Sequence, residues 1–108
     1  MLKKRNINKI KSKLDLLKKS LNEFGIDDSK VYLFGSWAKA KATEFSDIDV
    51  CIVSDKFEDK NRFDDTLKMK LFASKIDENI EPILLNFDDF ANKYDTLVTE
   101  VKKYGILI

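Results

Sequence analysis

Two aspartates, Asp47 and Asp49, flank Ile48 where the apolar run Val50-Cys51-Ile52-Val53 begins. Side chains alternate along a strand, so both carboxylates point to one face while Ile48 and Val50 point to the other. Like charges at that spacing repel, and a sheet gains no stability from them. A divalent cation turns the repulsion into a binding site. Taken alone, Asp-x-Asp also reads as a turn residue followed by a solvent-facing strand residue. Glu81 is the third acid of interest. It interrupts the apolar stretch Ile80 to Leu85, where a carboxylate is costly if buried and ordinary on an exposed edge. If its strand lies beside that of the aspartates, the three form a cage of oxygen ligands. Such a cage, open on one side, suits Mg²⁺ carrying substrate phosphates.

A second group precedes the acids. Of the three glycines, Gly25 and Gly105 follow helical patterns and read as terminators, whereas Gly35 ends the β-type run Val31 to Phe34. A helix-compatible stretch, Trp37 to Lys41, comes next. A glycine there lets phosphate approach the backbone, and the unpaired N–H groups of a following helix form an anion site. Ser36 adds a hydroxyl, and Lys39 and Lys41 lie within a turn or two. As a bare dipeptide, Gly-Ser reads first as an ordinary turn.

Other chemistries are narrowed by what the chain lacks. There is no histidine, which removes the usual zinc ligand, the usual general base and any Ser-His or Cys-His pair. Cys51 is the one cysteine, so no disulfide framework or thiolate cluster forms, and its apolar neighbours mark it as a small buried hydrophobe. Hard cations bound by oxygen remain.

The elements that must position these residues are legible from spacing. Ile7, Ile10, Leu14, Leu17, Leu21 and Phe24 make one stripe of a helix over about 3–24. Its lysines read as a solvated face rather than a nucleic-acid patch, since aromatics are not interleaved. Strands are predicted at Val31–Phe34, Ile48–Val53 and Ile80–Leu85, with Pro82 favouring a sheet edge or a bulge. Residues 59–77 resume helical spacing at Phe63, Leu67 and Leu71. Asp88 is placed as the cap of a last helix through Tyr104, before the apolar tail Ile106-Leu107-Ile108, which can add a short strand. The order is helix, strand, short helix, strand, helix, strand, helix, an α/β pattern with helices on a small mixed sheet.

The 108 residues, 44% hydrophobic and 36% charged, suit one domain over 1–108 with a modest core and argue against disorder. The motif core spans about 30–86, and the C-terminal helix and tail about 88–108. With 20 basic and 19 acidic residues the net charge is +1, so no global field draws the chain to nucleic acid or anionic membrane. Met1-Leu2-Lys3-Lys4-Arg5 lacks the apolar core of a leader and no run is long enough to span a bilayer, so a cytoplasmic location is expected.

Combined, Gly35-Ser36, ten intervening residues and Asp47-Ile48-Asp49 resemble the signature of the DNA-polymerase-β-type nucleotidyltransferase superfamily. Phe34-Gly35-Ser36-Trp37-Ala38-Lys39, Phe45-Ser46-Asp47-Ile48-Asp49-Val50 and Ile80-Glu81-Pro82 into Phe87-Asp88-Asp89-Phe90 are similar to its smallest members, the minimal nucleotidyltransferases. The resemblance covers roughly residues 25–108. It implies a mixed sheet whose carboxylates Asp47, Asp49 and Glu81 hold Mg²⁺, two ions in all, and take part in catalysis. It implies that Gly35 and Ser36, with Lys39 and Lys41, bind the triphosphate of ATP or another nucleotide. The implied reaction is transfer of AMP to a hydroxyl. The implied partner is a helical HEPN toxin, modified on a tyrosine; the alternative is an antitoxin that inhibits by complex formation alone. One departure stands out: many members carry a glycine where this chain has Ala40.

Overall fold

The computed structural model describes residues 4–43 and 45–108, without the side chains of residues 4–6. Met1 to Lys3, part of the start read as lacking the apolar core of a leader and including the first residue of the expected N-terminal helix, lie outside this range. Helix α1 spans Lys4–Glu23 and buries Ile10, Leu14, Leu17 and Leu21. It ends where the sequence stop signal stands. Gly25 adopts φ +79°, and the Ile26 N–H reaches back to the Leu21 carbonyl at 2.9 Å, closing the helix through a left-handed residue.

Four strands follow: β1 Lys30–Phe34, β2 Ile48–Val53, β3 Ile80–Leu85 and β4 Ile106–Leu107. They lie in the order β3-β2-β1-β4. β1 is antiparallel to β2 and β4, whereas β3 runs parallel to β2, as a mixed sheet requires. The parallel pair is joined by helix α2, Arg62–Ile76, entered through one 3₁₀ turn at Asp59–Asn61. Pro82, which has no N–H to donate, sits in the outermost strand.

Alternation along the strands separates two cores. Val31, Leu33, Ile48, Val50, Ile52, Ile80 and Leu84 pack with α1 and α2. Phe34, Cys51, Val53 and Leu85 pack on the other face with Val98 and Val101. The first core is the larger and includes Trp37 and Phe57. Cys51 is fully buried, and burial, aided by the charge of Asp95, pushes its thiol up to about 12. It is an inert core residue.

Three expectations are corrected. No helix follows Gly35: residues 35–40 form turns closed by Lys39 N–H to Gly35 carbonyl (3.2 Å) and Lys41 N–H to Ser36 carbonyl (2.8 Å). Ala40, at φ 59°, turns the chain out of helical geometry. The last helix is two. Asn86 caps the short α3, Phe87–Phe90, in a reciprocal box with Asp89, and Asp95 caps α4, Thr96–Tyr104. Asp88 lies inside the first of these. On α2, Phe63, Leu67 and Leu71 are exposed (79%, 52% and 62%), and Met69 and Ala73 face the core instead.

Candidate active site

The end of β1, the start of β2 and the start of β3 meet on the α4 side of the sheet. In register, Phe34 stands opposite Asp49, and Asp49 stands beside Glu81. Asp49 shares its side of β2 with Cys51 and Val53, and Glu81 shares its side of β3 with Ile83 and Leu85. Both side chains therefore leave the backbone on one face, at neighbouring positions, although the Glu81 carboxylate turns at the sheet edge towards α2.

Gly35 is shaped by this arrangement. It holds φ +73°, and a Cβ built there would collide with Asp49 Oδ2 and lie 3.1 Å from Asp49 Cγ. The space that its missing side chain opens is taken by the Asp49 carboxylate. The glycine turn and the acidic strand are thus packed directly against each other. Ser36, next along, is half-buried, and Trp37, 5% exposed, anchors the turn in the main core.

Asp49 is half-buried. Burial, then the charge of Asp47, then that of Glu100 hold its carboxyl above the ordinary carboxylate range. Asp47 is exposed at the mouth of the same strand. Among the described residues neither aspartate has an ion-pair partner. Unpaired acids pressing on one another suit a cation.

Glu81 behaves differently. Its carboxylate accepts from Lys70 Nζ of α2, which also donates to the Ile80 carbonyl at 3.0 Å. The expected three-acid cage is therefore not closed, and no group of three acids or other metal-ligating side chains is gathered among the described residues. The fit to Mg²⁺ rests on Asp47 and Asp49, with Glu81 adjacent and diverted. Lys41 is exposed beyond the turn. Lys39 is folded against α4, its ammonium 3.5 Å from Glu100 Oε1 and 4.9 Å from the Tyr104 ring centre. Sequence reasoning did not single out Lys70, Glu100 or Tyr104. They reach the site from helices whose docking on the sheet no local spacing announces.

The motif-bearing sheet and turn are those of a nucleotidyltransferase-type enzyme. The family model for the nucleotidyltransferase domain matches residues 14–108, and the chain belongs to that family. Among solved structures it is similar to a Sulfolobus solfataricus protein described as a nucleotidyltransferase. The identity is 26% and the TM-score 0.50, over 91% of this chain and 83% of that one. It also shares the fold of a chain in a mutant MntA-HpeT toxin-antitoxin structure, at 22% identity and TM-score 0.50, over 100% of this chain and 72% of that one. No curated protein matches the chain.

Proposed function

We propose that the protein is a Mg²⁺-dependent nucleotidyltransferase of the cytoplasm that moves AMP from ATP to a hydroxyl, a tyrosine of a cognate HEPN toxin. The observation that carries this reading is the packing of Gly35 on the Asp49 carboxylate. That contact between the glycine turn and Asp49 supports reading the two as parts of one site. The fold shared with a toxin-antitoxin component supports the choice of partner.

Asp47 and Asp49, with Glu81 beside them, are the residues that would hold two Mg²⁺ ions. Bound there, Mg²⁺ supplies positive charge to the triphosphate and to the oxygens that attack and leave phosphorus. Gly35 and Ser36 hold the triphosphate, with Lys39 or Lys41 supplying positive charge. Glu81 takes the proton of the acceptor hydroxyl as its oxygen bonds to the α-phosphorus. The bond from that phosphorus to the bridging oxygen breaks, and pyrophosphate departs. Histidine is not needed, because positioning and charge stabilisation supply most of the catalysis.

A second reading, an antitoxin that inhibits by complex formation with little transfer, is favoured by the pairing of Glu81 with Lys70. One experiment separates the two. With Mg²⁺ and the toxin, α-label from ATP should enter the toxin while γ-label leaves as pyrophosphate. Asp47→Asn and Asp49→Asn should each lower transfer by several powers of ten. Inhibition of the toxin with no α-label incorporated would establish the second reading, and near-normal transfer by either variant would remove the aspartates from the site.

A further inference from the structure

We infer that Lys70 is a built-in competitor for the metal at Glu81, a residue that sets the affinity of the site for divalent cations. The inference rests on the proposed metal site and adds a residue to it. Lys70 Nζ has two anchors, the Glu81 carboxylate and the Ile80 carbonyl at 3.0 Å. Both lie at the head of β3, next to Asp49 in register. Lys70 extends there from α2, alongside Thr66, Leu67 and Pro82, with which it and Glu81 line a cavity of about 230 Å³.

The consequence is a division of labour among three neighbouring acids. Asp47 and Asp49 have no cationic partner among the described residues. Glu81 has one. Lys70 must leave Glu81 before that carboxylate can serve as a third ligand or accept a proton. Its positive charge also offsets the negative charge of Glu81 beside Asp49. Both effects weaken binding of a bare cation. The side chains of Lys70 and Glu81 remain 35% and 44% exposed, so solvent limits the strength of the pair.

The test uses Mn²⁺ alone, titrated into the full chain and followed by its electron paramagnetic resonance signal. Lys70→Met should bind Mn²⁺ about fivefold more tightly than the parent, the upper range for a partly exposed pair. Lys70→Arg, which keeps the charge, should stay close to the parent. The gain should vanish when Lys70→Met is combined with Glu81→Gln, measured against Glu81→Gln alone. Parent-like affinity in Lys70→Met overturns the inference, and so does a gain that survives in the Glu81→Gln background. Lys70→Gln carries the same test if circular dichroism shows that the Met variant does not fold. Asp49→Asn keeps the two ideas apart. If it abolishes Mn²⁺ binding while Lys70→Met is parent-like, the inference about Lys70 alone fails; if it binds Mn²⁺ like the parent, the proposed metal site fails and the inference with it.

Discussion

Ala40 holds a backbone angle, φ 59°, that glycine adopts freely and alanine does not. The resemblance to minimal nucleotidyltransferases had marked this position by its missing glycine, and the structure gives the reason: the turn between Ser36 and Lys41 needs a left-handed residue. Ala40→Gly should therefore raise stability by about 0.5–1 kcal/mol, the relief of strain less the added chain entropy of glycine. Urea unfolding would show it, and a loss of stability would contradict the strain. Gly35→Ala should do the reverse, because its Cβ meets Asp49 as well as the wrong φ. Asp49 itself gives a pH signature. Its carboxyl titrates above the ordinary value of 3.8, first through burial, then through Asp47 and Glu100. The folded state then binds the proton more readily than the unfolded chain, so the charged carboxylate costs stability at neutral pH and the cost fades as pH falls through the raised value. Metal-free Asp49→Asn should be at least as stable as the parent at pH 7 and lose that advantage in acid. Melts at the two pH values would reveal any opposite trend.

Among the elements, those read correctly were the ones whose sequence signals are local. β2 and β3 were expected at Ile48–Val53 and Ile80–Leu85 and are found there, since short, mainly apolar runs between turn residues are a local signal. The stop at Gly25 and the short strand in the apolar tail are likewise present. The misreadings share another cause. Trp37 to Lys41 contains good helix formers, but the burial of Trp37 and the left-handed Ala40 bend it into turns. Phe63, Leu67 and Leu71 have helical spacing, yet the small Ala73 and the pliable Met69 face the sheet, a choice made by packing rather than by hydrophobicity. The division between α3 and α4 was signalled by Asp95, whose carboxylate accepts from the N–H groups of Leu97 (2.9 Å) and Val98 (3.3 Å). Asp95→Ala should cost about 1 kcal/mol, a typical cap loss. It should also loosen α4, which carries the Glu100 and Tyr104 that hold Lys39. Urea unfolding at neutral pH measures the first effect, and no change would mean that packing of Val98 and Val101 holds the helix without its cap.

At the scale of the whole molecule, the site is a product of strand order. Periodicity names the strands but not their neighbours, and only the order β3-β2-β1-β4 sets Glu81 beside Asp49 and Gly35 against it. The candidate residues were legible through the combined motif; the diversion of Glu81 to Lys70 and of Lys39 to α4 was not, because both depend on helix docking. No described helix is long and apolar enough to cross a membrane. The central claim, that the acidic pair beside the glycine turn holds Mg²⁺ and a nucleoside triphosphate, can be tested without knowing the acceptor. Thermal and urea unfolding of the parent and of Asp49→Asn would be compared with and without Mg²⁺ plus a non-hydrolysable ATP analogue. At a hundredfold excess over Kd the ligand should stabilise the parent by about 2.7 kcal/mol and the variant far less. An equal ligand-induced gain in both proteins would mean that Asp49 holds no metal, and the account of the site would be wrong.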